Sequence, residues 1–386
     1  MTNHCLVFDP IPFAGGSKIA TLNMLAHTDP ERVKFTVITA SPSCWRIDTP
    51  HQIDVVSLAS PRWLAKAQSG ALFWLKQLYF SLCISVIMML KPKVQLTVGA
   101  SGPGVDMALY LCRFVFGFKV AQLIHGPVAR SRSIGFALTK ADFVFYLTSS
   151  HQSLLQSLQS YLGADQDLSA VRKLMGERWI AFDNGLPEHQ WPSQIHQTEP
   201  VVYWAASLLK WKGLDLLVEA LSSLEVESQI CFIRPKNSQL AVSKAPVRLN
   251  GAKWYQQPNN LDDIRKQSSI FVSTSVNEPF GLSILEALAA GMCVIVPKDG
   301  SYWDQVLTEG FNCIKYEKND ARSLQAAIQH VQQDPELIAR LGRKAKLIAA
   351  HYTAKRCYQT ITHCIHTAGD FIPTAMSIRH QGAAHE

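Results

Sequence analysis

The chain has 386 residues, of which 47% are hydrophobic and 17% charged, with a formal net charge of +7. That length exceeds what one hydrophobic core usually serves, and that composition excludes a disordered or collagen-like protein. Nine scattered cysteines, odd in number and without a C-x-x-C pair, point to buried free thiols in a reducing compartment rather than a disulfide scaffold.

Read from the start, Met1-Thr2-Asn3-His4 lacks the basic region of a secretory signal, so a cytoplasmic setting is expected. Strand-like apolar runs are expected over residues 4–8, 33–40, 53–58, 94–99, 118–125, 143–148 and 179–182, with helix-length segments between them. The first run leads into Gly15-Gly16 and then a helix. Such a glycine pair lets backbone approach a ligand, and the new helix aims its positive end at it. Lys18, close behind, is either an added positive charge there or a solvated helix residue. A later run ends in Leu123-Ile124-His125-Gly126-Pro127, which places His125 at the carboxyl end of a strand.

Charge is unevenly placed. From Val55 to Lys140 ten Lys or Arg face a single acid, Asp106, and the same segment carries Trp63, Trp74 and a very apolar helix. Basic, apolar and Trp-bearing surface suits peripheral contact with an anionic membrane. The longest charge-free apolar stretch, residues 78–90, is shorter than the roughly 20 residues that a span requires. No nucleic-acid-binding pattern is present, so nucleic acid is not expected as a partner.

A polar linker with two prolines, residues 192–200, marks a domain boundary. Beyond it, strands are expected over 201–205, 229–233, 247–249, 270–274, 293–296 and 313–316. Repeated strand–helix alternation implies an α/β protein with two doubly wound, Rossmann-like domains, 1–195 and 196–350. A helix at about 351–370 follows, and 371–386 reads as a disordered tail.

The most informative stretch runs from Asn277 to Gly291. Glu278 and Glu286, with seven residues between them, straddle a strand-to-helix turn built on Pro279-Phe280-Gly281-Leu282. Open α/β sheets bind ligands at the carboxyl ends of their strands. A carboxylate accepts two hydroxyl hydrogen bonds, so the pair suits a sugar or a ribose. The helix N-terminus between them suits phosphate.

This stretch resembles the EX7E signature of retaining GT-B glycosyltransferases, in particular the large family 4 group. The resemblance implies that Glu278 holds hydroxyls of a donor sugar and Glu286 the ribose of its nucleotide. It places the amides of Phe280, Gly281 and Leu282 beside the donor's sugar and phosphates. Gly15 and Gly16 match the family's first-domain glycine loop, and His125 matches a histidine near the transferred sugar. The segment from Ala206 to Asp215 is similar to the family's "G-R-L…K-G" loop, in which an arginine and a lysine neutralise the leaving diphosphate. Lys212 keeps the lysine; Ser207 stands in the arginine's place, with Arg234, Lys236 and Lys210 as candidate replacements.

The resemblance thus implies two Rossmann-like domains facing across a cleft, the first also carrying the C-terminal helix. The implied activity is sugar transfer from a nucleotide-sugar donor to a hydroxyl, with retained configuration. No cofactor and no metal are expected, and Asp165-Gln166-Asp167 is expected in a helical segment rather than at a strand end. The acceptor expected from charge and family habit is a lipid-linked saccharide at the inner face of the cell membrane, in surface polysaccharide assembly. A sugar-nucleotide epimerase of the same fold and a non-catalytic donor-binding subunit are the alternatives.

Overall fold

The computed structural model describes residues 2–13, 15–45, 53–65, 67, 69–91, 93–163, 176–195, 199–235 and 240–370; the Asp165–Asp167 triplet, Lys236 and the 371–386 tail lie outside them. The chain divides into two units, Met1–Gly185 with Cys357–Glu386, and Leu186–Arg356.

In the first unit the strands are β1 (Asn3–Asp9), β2 (Val33–Thr39), β3 (Ile53–Ser57), β4 (Leu96–Gly99), β5 (Lys119–Ile124), β6 (Phe143–Leu147) and β7 (Trp179–Phe182). They form one parallel sheet in the order β3-β2-β1-β4-β5-β6-β7. Central strands such as β4 and β6 are buried along their whole length. Their near-continuous apolar runs follow from helices covering both faces. The Gln359–His366 helix belongs to this unit: Asn3 Nδ2 donates to the His366 carbonyl at 2.7 Å, and the Gly185 amide donates to Tyr358 Oη at 3.1 Å.

In the second unit β8 (Val201–Ser207), β9 (Glu227–Ile233), β10 (Ala252–Gln256), β11 (Ile270–Val272), β12 (Cys293–Lys298) and β13 (Ile314–Glu317) pair in parallel in the order β10-β9-β8-β11-β12-β13. In both sheets the order of strand addition thus reverses at the centre, between β1 and β4 and between β8 and β11, with every strand still parallel. The carboxyl ends at such a switch point open into a crevice where doubly wound folds take ligands.

Two expectations are corrected. The strand expected over 247–249 is a loop, and the edge strand is Ala252–Gln256 instead. With one neighbour and mixed burial, that edge lacks the apolar run that marks an interior strand. The apolar helix also begins earlier than the charge-free stretch suggests. It spans Gly70–Leu90, takes Lys76 and Gln77 into its body, and is long and apolar enough to cross a membrane by length and composition. One lysine does not stop a helix, because its propensity is high.

Candidate functional site

At the second unit's switch point, two loops are joined by three bonds. The loop after β8 carries Trp211, Lys212 and Gly213; the loop after β11 carries Thr274, Val276 and Glu278. The Val276 amide donates to the Trp211 carbonyl at 3.1 Å, and Thr274 Oγ1 donates to the Lys212 carbonyl at 2.8 Å. Thr274 Oγ1 in turn accepts from Trp204 Nε1 at 2.9 Å. The third bond is an ion pair from Lys212 Nζ to Glu278 Oε2. Gly213 has to be glycine: its φ is +74°, and a Cβ there would stand 2.2 Å from the Thr274 carbonyl oxygen.

Two residues predicted separately from the sequence, Lys212 and Glu278, are therefore in direct contact. The pairing uses up neither. An ammonium has three donors and a carboxylate two oxygens, so each keeps capacity for a ligand. Lys212 Nζ also lies 4.0 Å from the centre of the Trp211 ring, which adds to its placement.

The Leu282–Ala290 helix starts directly after Glu278-Pro279-Phe280-Gly281. Gly281 takes φ +80°, and a Cβ there would crowd Glu278 Cγ at 3.0 Å. The first amides of a helix have no carbonyl one turn back, and no side chain among the described residues caps this one. The Phe280 ring does not face a ligand: it is buried against Tyr302, Trp303 and Tyr352, with ring centres 4.9, 5.4 and 6.1 Å away. That packing anchors the turn whose amides were expected to serve.

Glu286, one turn into the helix, is held by a residue the sequence reading missed. Arg265 Nη2 donates to Glu286 Oε2 at 2.5 Å, and Nη1 to Asp262 Oδ1 at 2.8 Å. Arg265 is almost wholly buried. Burial pushes the Glu286 carboxyl above its ordinary value, and the Arg265 charge pulls it back. No local motif signals this pair, because its members lie on different helices.

Of the cations considered for the vacant arginine position, Arg234 is the best placed. Ser207 and Ile233 are paired residues on β8 and β9, so Ser207 and Arg234 stand at adjacent strand ends. Arg234 Nη2 donates to the Ala245 carbonyl at 2.6 Å. Lys210 is engaged elsewhere, with Asp215 at 2.6 Å.

In the first unit the Gly15-Gly16 loop caps the Gly16–Ala26 helix, as expected. Gly15 is extended, and a Cβ there would meet nothing within 4 Å. The fold itself therefore makes no demand for glycine at 15. Lys18 is neither a free positive charge nor a solvated residue. Only 4% exposed, it pairs with Asp9 and donates to the Ile11 carbonyl at 2.8 Å. The Asp9 carboxylate also accepts from Trp45 Nε1, Thr39 Oγ1 and Ser101 Oγ at 2.8, 3.2 and 2.9 Å, tying the ends of β1, β2 and β4 together. Sequence reading missed this hub because its partners come from distant positions. Close by, the Asp106 carboxyl is pushed up to about 8 by burial.

His125 Nε2 lies 3.0 Å from Thr21 Oγ1, whose single proton goes to the Ser17 carbonyl at 2.9 Å. Nε2 must then be the donor, which leaves the lone pair on Nδ1, a buried atom without a hydrogen-bond partner among the described residues. Burial lowers the His125 pKa to about 4. The expected result is an imidazole that stays neutral from about pH 5 to 8, checked by NMR titration of its ring protons. A midpoint near 6.5, its ordinary value, refutes this placement. The linked stability is complete above 6.5 and is lost as pH falls through about 4, because the unfolded chain takes the proton first.

Residues 187–348 match the family model described as Glycosyl transferases group 1. Over 42% of its length the chain is 33% identical to alpha-monoglucosyldiacylglycerol synthase of Acholeplasma laidlawii. It is 20% identical over 61% of its length to N-acetyl-alpha-D-glucosaminyl L-malate synthase of Bacillus anthracis, covering 65% of that protein. The chain spans 42% of the Acholeplasma protein. Anabaena Alr3699/HepE, solved with UDP and glucose, superposes with a TM-score of 0.71 at 16% identity, covering 95% of this chain and 100% of that one. The fold is GT-B.

Proposed function

We propose that the protein is a retaining, metal-independent glycosyltransferase of the EX7E-bearing family 4 type. It moves a sugar from a nucleotide diphosphate donor to a hydroxyl of a lipid-linked saccharide. The observation that carries this reading is the Lys212–Glu278 pair at the switch point of the second sheet, beside an uncapped helix N-terminus. One arrangement there offers what a nucleotide sugar needs: a carboxylate for sugar hydroxyls, and a cation and amides for phosphate.

In this reading Glu286 accepts the ribose hydroxyls, and Lys212 with the amides of Gly281 and Leu282 takes the diphosphate. Arg234, at the strand end beside Ser207, supplies the second cation. The acceptor hydroxyl attacks the anomeric carbon on the face from which the diphosphate departs, and a phosphate oxygen takes the acceptor's proton. His125 lies beside the sugar as a neutral imidazole and exchanges no proton. Positioning and charge neutralisation then supply most of the rate.

A lipid-bearing acceptor is supported by the Acholeplasma relative, whose name specifies a glucosyl-diacylglycerol. With the basic charge of the first unit, this favours work at the inner face of the cell membrane, in surface polysaccharide assembly.

The test is a panel of nucleotide sugars scored by thermal stabilisation, followed by product analysis with and without a saccharide acceptor. One donor at about 100 times its Kd is expected to stabilise the fold by about 2.7 kcal/mol. Transfer only with acceptor supports the reading. Turnover of donor alone to an isomeric sugar nucleotide favours the epimerase, and binding without turnover favours the non-catalytic subunit.

A further inference from the structure

On the Gly70–Leu90 helix the exposed positions Leu75, Leu78, Leu82, Val86 and Met89 recur every three or four residues. They form one stripe, and it is entirely apolar. With Ala71 at its start it runs about 27 Å along the helix. A helix on the surface of a globular domain normally turns charged and polar residues to solvent. Here Leu78 is 59% exposed and Leu82 64%.

The opposite face is committed to the protein. Phe80 and Ile84 lie in the first unit's core, and Gln77 Oε1 accepts from the Ala108 amide at 3.0 Å. To cross a bilayer the helix would have to abandon that core, so a membrane meets it sideways. Trp74 on the same helix is exposed, as is Trp63 on the short helix packed against it. Indole rings favour the membrane–water boundary.

Charge decides between occupants. The whole segment from Val55 to Ala141 contributes no acid to the surface, since its one acid, Asp106, is buried. Some of its cations are neutralised from outside the segment: Lys91 pairs with Asp54, Arg113 with Asp142, and Lys119 with Asp370. Lys93, Arg130 and Arg132 form no ion pair among the described residues. A second copy would bring like charge against like, whereas an anionic bilayer supplies the opposite charge.

We propose that this stripe, with Trp63 and Trp74, is a docking face that lies flat in the interfacial layer of an anionic bilayer. The proposal deepens the membrane-side part of the function above, and its test does not depend on sugar transfer.

The full chain is floated with phosphatidylcholine vesicles with and without phosphatidylglycerol, as wild type and as the double variant Leu78→Glu/Leu82→Glu. Both positions face solvent, so circular dichroism and melting are expected to match wild type. Wild type is expected to float with the anionic vesicles, and the double variant to lose at least about tenfold in partitioning. Brominated lipid is expected to quench the emission of wild type more than that of Trp63→Phe/Trp74→Phe. Equal flotation of variant and wild type, or wild type remaining unbound, overturns the proposal. So does a wild-type dimer in lipid-free solution that the double variant dissolves, since the occupant is then a second copy.

Discussion

Lys212→Ala is expected to lower kcat by about 100- to 1,000-fold, the usual cost of removing one donor aimed at charge that develops in the transition state. The ammonium sits at the switch point, fixed by Glu278, the Trp211 ring and the Thr274 bond to its own carbonyl. In the proposed function it would therefore meet the departing diphosphate without reorganising. Glu278→Gln is expected to lower kcat as well, because the amide both loses charge and releases Lys212. The double variant should cost less than the two singles combined, with a coupling of about 0.5–3 kcal/mol, as expected of groups in contact. Arg234→Ala separates the cations: if Arg234 replaces the family arginine, its loss lowers kcat too, with binding of the free nucleoside less affected. Steady-state kinetics with the donor found by thermal stabilisation reads all four proteins. A kcat for Lys212→Ala within about threefold of wild type, in an intact fold, removes Lys212 from the machinery.

Arg265→Met is the second large effect, and it acts on binding and stability together. It leaves Glu286 part-buried and without its cation. Breaking a buried pair from one side costs about 3–5 kcal/mol. Glu286 retains 27% exposure of its side chain, so water softens the loss to about 2 kcal/mol, or several degrees in Tm. Donor KM is expected to rise at the same time, because the carboxylate that the proposed function assigns to the ribose is no longer oriented. Arg265→Met/Glu286→Leu tells the two effects apart. Removing both charges should recover most of the stability, while donor binding remains lost.

The pH dependence of Arg265→Met follows from the sign of the Glu286 shift. Burial raises this carboxyl, and Arg265 opposes the rise, so the variant raises it further. A carboxyl whose folded pKa lies above its unfolded value favours the folded state when protonated. Its stabilising contribution is present at low pH and falls as pH rises through the folded pKa. The stability deficit of the variant should therefore be smaller near pH 5 than near pH 8. Calorimetry at both values checks this, and a deficit that does not change with pH shows that Glu286 does not feel Arg265.

Residues 270–291 were legible from the chain because everything that shapes them is local. An apolar β-branched run, a turn that requires Gly281, a helix and a closing glycine follow one another within 22 residues. The thirteen strands among the described residues could be placed nearly throughout for the same reason, since interior parallel strands are continuous apolar runs. The exception, the edge strand Ala252–Gln256, is shielded on one side only and carries Lys253 and Gln256.

What local pattern could not supply was the partner of each charged side chain. Lys18 reads like any helix-surface lysine until β1 brings Asp9 to it. Arg265 resembles the exposed end of a short helix until Glu286 arrives from the next one. Composition announced a basic, apolar segment, yet only packing separated the inward Phe80 and Ile84 from the outward Leu78 and Leu82. Backbone conformation and burial pattern are properties of neighbours in sequence. Ion pairs and exposed faces depend on neighbours in space, which exist only once the sheets and helices have assembled.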